Sequence, residues 1–170
     1  MVRATALTAE AFRPFGDVIE TEGHAPRWIN GDTCRRFDDL ARVDVAEAGG
    51  RPLISVFEAM PRELPLQVRV LERHPLSRQA FVPLEMQPFL VVVADDQAAA
   101  AAGRLRAFVS SGRQGVNYHR LTWHHPLLAL GRTCRFVVID RGGAGENCEE
   151  VAVGPAVWVT ADRAPGPAGA

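Results

Sequence analysis

Two neighbouring stretches restrict the fold more than anything else in this chain. Leu66-Gln-Val-Arg-Val-Leu-Glu-Arg73 alternates apolar with polar, and Phe89-Leu-Val-Val-Val-Ala94 is apolar throughout. A period of two marks a strand with one face buried, and a short continuous apolar run marks a strand covered on both faces. Leu53 to Ala59, entered after Gly49-Gly50 and closed before Pro61, is another strand. So are Asp17 to Glu20, Gln79 to Leu84, Leu105 to Val109, Leu127 to Leu130 and Arg135 to Asp140, with Cys148 to Val153 as an edge strand. One helix is expected near the N-terminus, where Thr8 can cap Ala9-Glu-Ala-Phe12 and Gly16 can supply a left-handed residue after it. Thr21 to Asp32 is polar and irregular. The alanines Ala98 to Ala102 read as an excursion between strands holding one helical turn. With about eight to ten short strands, no alternation of strand and helix and no repeat, the expectation is an all-β barrel or sandwich.

A chain of 170 residues is long enough to bury a core and is expected to form a single domain over residues 1–160, with a tail over 161–170 rich in Pro, Gly and Ala. Its net charge of −1 gives no electrostatic reason to bind nucleic acid or an anionic membrane. All 19 basic residues are arginine, so Schiff-base chemistry on a lysine is excluded. Cys34, Cys134 and Cys148 are odd in number and widely spaced, which argues against a disulfide framework or a cysteine-rich zinc site. There is neither a signal-peptide pattern nor an apolar run of membrane-spanning length, so a soluble, cytoplasmic protein is expected.

Chemistry concentrates in two segments. Between Gln114 and Leu130 lie His119, His124 and His125, interleaved with Asn117, Tyr118, Arg120 and Trp123. Upstream, Leu71 to Phe81 carries Glu72, Arg73, His74 and Gln79. Glu72 and His74 are two apart and leave one face of a strand, and Gln79 can return to that face after the bend at Pro75. Such a set can hold a small cation or a polar substrate. His124 and His125 are adjacent, so they point to opposite faces unless the strand bulges. At least one of the three clustered histidines is expected to function, because titratable groups in an apolar setting are expensive to keep. Which one remains open. Arg73, Arg120 and Arg141 are candidates for binding a carboxylate, and Asn117 and Tyr118 for orienting a polar substrate.

At these residues the chain resembles the ureidoglycolate lyase family. The likeness runs through Glu10-Ala-Phe-Arg-Pro-Phe-Gly-Asp-Val-Ile-Glu20, Leu71 to Leu84, Leu105 to Arg120, Trp123-His-His-Pro-Leu127 and Val138-Ile-Asp-Arg-Gly-Gly143. It implies a cupin fold, a double-stranded β-helix barrel with a short N-terminal helix. It implies conversion of (S)-ureidoglycolate to glyoxylate and urea, with a hydrolase releasing ammonia, or a non-catalytic sensor of a small carboxylate, as alternatives. Glu72, His74, Gln79 and His124 fall on the metal positions of wider cupins, with Glu72 in place of a histidine and Gln79 in place of a glutamate, and the resemblance implies a possible divalent metal, nickel by family association. His124, His119 and Tyr118 are then the candidate catalytic residues, and Arg73, Asn117, Arg120 and His125 those for the substrate. The resemblance also implies a homodimer, with Cys148 to Val153 as an edge through which it could pair.

Overall fold

The computed structural model describes residues 1–161. Apart from Ala161, the expected tail over 161–170 lies outside the described residues.

The strand Phe89–Ala94 explains the layering. All six of its residues are buried. Phe89, Val91 and Val93 pack into a core with Phe81, Val116 and Val138 of a second sheet. Leu90 and Val92 point the other way, into a cluster with Leu66, Val68, Leu71 and the helical Ala99 and Ala100. The run is apolar at every position because it has a core on both sides.

That strand belongs to a nine-stranded sheet. Its main order is Val2–Arg3, Glu149–Thr160, Leu66–Arg73, Trp123–His124, Phe89–Ala94, Arg106–Val109 and Thr5–Ala6, with Leu128–Leu130 also pairing Phe89–Ala94 and carrying Pro61–Arg62. The facing sheet has five strands, in the order Gly16–Ile19, Gly115–Tyr118, Gln79–Pro83, Cys134–Gly142 and Arg51–Ala59. The two enclose the core that holds Phe89, Val91 and Val93, giving the all-β, cupin-like sandwich expected. A separate hairpin pairs Arg27–Ile29 with Cys34–Arg36, ordering part of a stretch expected to be irregular.

The N-terminal helix is Ala9–Phe12, and the Thr8 hydroxyl accepts from Ala11 N at 3.2 Å. Gly16 does not end it with a left-handed residue; it opens the strand Gly16–Ile19. A Cβ there would stand 2.3 Å from the carbonyl oxygen of Asn117, so glycine is required by the close approach of two backbones. The alanine run forms the helix Gln97–Ala101, capped by Asp96, whose carboxylate accepts from Ala99 N at 2.7 Å. Gly103, at φ +70°, supplies the left-handed stop. The strand expected at Cys148 to Val153 runs from Glu149 to Thr160. It pairs with Leu66–Arg73 on one side and takes Val2–Arg3 on the other at its far end, so it is an edge only in part. No helix among the described residues is long and apolar enough to cross a membrane.

Candidate active site

The register of three strands builds the site. His124 lies directly opposite Glu72 on one neighbour and Val93 on the other. Opposed residues in an antiparallel pair share a face. The Glu72 and His124 side chains therefore meet, with His124 Nε2 3.6 Å from Glu72 Oε1. His74, two residues beyond Glu72, leaves the same face, and its ring centre lies 5.2 Å from that of His124. Glu72, His74 and His124 each offer one donor atom, and the three atoms lie within 4.8 Å of one another.

The facing sheet supplies the opposite wall. Tyr118 stacks on His124, ring centres 4.0 Å apart and 13° from parallel. Gln79, directly opposite Tyr118 in the next strand, places its Oε1 3.0 Å from His74 Nε2. The site is thus a junction between the two sheets.

Main-chain carbonyls orient both imidazoles. His124 Nδ1 donates to Thr122 O at 2.8 Å and His74 Nδ1 to Asn147 O at 2.6 Å, so each ring turns Nε2 into the junction. For His124 this leaves a lone pair at Nε2, a buried nitrogen with no hydrogen-bond partner. Burial, with His74 adding to it, lowers the pKa of His124 from 6.5 to about 3, so the ring stays neutral. An unprotonated, preoriented and unsatisfied nitrogen beside a carboxylate has the lone pair and the setting that a metal ligand needs. Burial also raises the pKa of Glu72 above its ordinary 4.5, against the opposing effect of His74. The Tyr118 phenol is pushed up by burial and then by Glu72, and stays protonated.

The structure brings together Glu72, His74, Gln79, Tyr118 and His124. The remaining candidates point elsewhere. His125 faces away from the junction, its Nδ1 donating to Pro126 O at 2.8 Å. His119 Nε2 is 3.4 Å from Asp17 Oδ1, and the other Asp17 oxygen accepts from Asn117 and Arg78, each at 2.9 Å. This polar group lies on the outer side of the five-stranded sheet, since Asn117 and Tyr118 are consecutive on one strand. Arg73, one residue from Glu72, points off the opposite face, its guanidinium 4.5 Å from the Trp123 ring and 2.6 Å from Glu149. Arg120 donates to Pro75 O and Glu47, and Arg141 to the carbonyls of Glu47, Ala48 and Ala144. Sequence reasoning gave no role to Asn147, which fixes His74 through its carbonyl and accepts from Leu76 N through its side chain. Its only signal is its place in the turn beyond Val138-Ile-Asp-Arg-Gly-Gly143.

The model of the ureidoglycolate lyase family matches residues 1–160. This chain belongs to that family. A Burkholderia mallei (strain NCTC 10229) protein named ureidoglycolate lyase is 54% identical over 156 residues, covering 92% of this chain and 91% of the relative. A protein of the same name from Pseudomonas entomophila (strain L48) is 54% identical over 144 residues, covering 85% and 86%. Another, from Stutzerimonas stutzeri (strain A1501), is also 54% identical over 144 residues, covering 85% of each chain. Both histidine segments lie within the family match, so the residues that meet at the junction belong to the part shared with the ureidoglycolate lyase family.

Proposed function

We propose that this chain is a carbon–nitrogen lyase that eliminates urea from ureidoglycolate and leaves glyoxylate. The observation that carries the site assignment is the meeting of Glu72, His74 and His124 around a buried nitrogen with an unused lone pair. The substrate is a hemiaminal, with hydroxyl, carboxylate and ureido nitrogen on one carbon. Its elimination moves one proton from the hydroxyl to the departing nitrogen and consumes no water. A single group can therefore take the proton and return it.

Glu72 suits that task. Its carboxyl lies in the junction, where one oxygen can face a cation while the other takes the proton. Tyr118 keeps its proton and serves as a hydrogen-bond donor to a substrate oxygen. His124, neutral, presents only an acceptor. Stacking on Tyr118 and contact with His74 keep its ring in place.

The donor set fits a divalent cation, nickel among them. Two imidazole nitrogens, a carboxylate and the turned-in oxygen of Gln79 form a mixed nitrogen and oxygen set. The orphaned His124 Nε2 supports this reading, since it offers a buried lone pair that no protein group uses. When bound there, such an ion supplies positive charge for the substrate's carboxylate and hydroxyl and weakens the hydroxyl's hold on its proton. That charge matters because Arg73, Arg120 and Arg141 are all engaged elsewhere.

We also infer a homodimer. Arg51–Ala59 is the outer strand of its sheet, nine residues long, with Ile54 78% and Val56 60% exposed. A long apolar edge strand is a template for pairing with another chain, and a second copy offers the same strand in return. The free thiols of Cys34, Cys134 and Cys148 are in keeping with the reducing conditions of the cytoplasm.

The deciding experiment is product analysis with purified protein and (S)-ureidoglycolate. Urea formed in equal amount with glyoxylate, without ammonia, is the expected result. Ammonia as the first product overturns the lyase reading in favour of hydrolysis. Elemental analysis, with activity measured before and after chelation, tests the cation: stripped protein should lose turnover and regain it with the divalent ion.

A further inference from the structure

Val138-Ile-Asp-Arg-Gly-Gly143 carries one group that the chemistry above leaves unused, Asp140. In the strand Cys134–Gly142, Ile139 lies opposite Ala80, which sets Asp140 beside Gln79. Gln79 is buried. Its amide lies beside the Asp140 carboxylate, whose charged form it favours, and presents Oε1 to His74 Nε2, 3.0 Å away. A carboxamide has a donor end and an acceptor end of nearly equal shape, so shape alone does not choose between its orientations. An ionised carboxylate only accepts. Asp140 therefore selects the NH2 end for itself and leaves the oxygen for the cluster. It does so at a cost, since its own Oδ1 is buried without a partner.

We propose that Asp140 is a positioning residue of this site, which holds the Gln79 amide so that its oxygen, and not its NH2 group, faces His74 and the cation ligands. The proposal rests on the reading of Glu72, His74 and His124 as a cation cluster. Without the carboxylate the amide can turn over, placing an N–H donor where an ion needs a lone pair. Groups that orient metal ligands typically govern affinity by about 10–100-fold.

The test is a double-mutant cycle on the full chain, using Asp140→Asn, Gln79→Glu and the double variant. Asp140→Asn keeps the shape but can donate, so it frees the amide to flip. Gln79→Glu replaces the amide with two equivalent oxygens, leaving nothing to orient. Binding of Ni2+ alone to chelator-stripped protein is measured by calorimetry. The ring nitrogens of His74 are followed in parallel by NMR of metal-free, 15N-histidine-labelled protein. Asp140→Asn should weaken Ni2+ binding by about 10-fold or more when Gln79 is intact, and by less than about 3-fold in the Gln79→Glu background. Its effect on the His74 ring signals should likewise be confined to the chain with Gln79 intact. Equal losses in both backgrounds, or none in either, overturn the proposal. If the wild-type chain takes up no Ni2+, the cation reading fails by itself. The His74 spectra then decide alone: a shift only when Gln79 is intact supports the role of Asp140, and no shift, or one seen in the Gln79→Glu background as well, refutes it.

Discussion

His124 concentrates the physical argument at the scale of single residues. It is 1% exposed, its Nδ1 is satisfied, its Nε2 is not, and burial holds it neutral. His124→Ala should reduce turnover of ureidoglycolate by about 10²-fold or more while the fold survives, as read by steady-state kinetics beside circular dichroism. The same residue affects stability. Its folded pKa of about 3 lies below the 6.5 of an ordinary imidazole, so the unfolded chain binds a proton that the folded one refuses. In the chelator-stripped chain stability should therefore be lost as pH falls below about 6.5, with the slope of about one proton from this group, until pH approaches 3. Urea titrations between pH 7 and 4 should show His124→Leu flattening that slope by about one proton. Glu72 gives a second pH signature. If Glu72 is the base it must be ionised, so kcat/KM should fall on the acid side as its carboxylate takes up a proton. Glu72→Gln should remove that limb together with most of the rate. A Gln variant that retains wild-type kcat would exclude Glu72 as the base.

At the scale of elements, close backbone approaches align the strands that carry the site. Gly115 opens the strand that delivers Tyr118, and a Cβ on it would stand 2.6 Å from the carbonyl oxygen of Phe81 on the strand that delivers Gln79. Backbone on both sides has little room to yield. Gly115→Ala should destabilise by about 1–3 kcal/mol, measured as a lower urea midpoint, and should weaken catalysis because it shifts the wall opposite His124. The parity of the strands was legible in the sequence. Glu72 and His74 share a face because they are two apart, and Arg73 leaves by the other face for the same reason. The adjacency of His124 and His125 required opposite directions in the same way. Which of the two points inward was not legible from parity; the family resemblance favoured His124, and the register that sets it opposite Glu72 decides it.

At the scale of the whole molecule, two sheets share one core, and the candidate site forms where their inner faces meet. The same architecture leaves Arg51–Ala59 as an outer strand with apolar side chains toward solvent. If two copies join there, Ile54→Lys with Val56→Lys should halve the mass measured by light scattering and leave the core intact. An unchanged mass would place the interface elsewhere.

The chain's own order of residues determined its class. Periods of two, one run apolar on both faces and the absence of alternating helices permit little besides stacked sheets, since strands must hide one face or both. It also brought Glu72, His74 and Gln79 into one neighbourhood, because they are joined by a single bend. The tertiary structure placed His124 beside Glu72, as the family resemblance implied, and it alone turned His119 to Asp17 and set Asn147 behind His74 and Asp140 beside Gln79. These are pairings between strands far apart in the chain. Their register is fixed by core packing and backbone contacts summed over both sheets, and no local pattern of residues carries that sum.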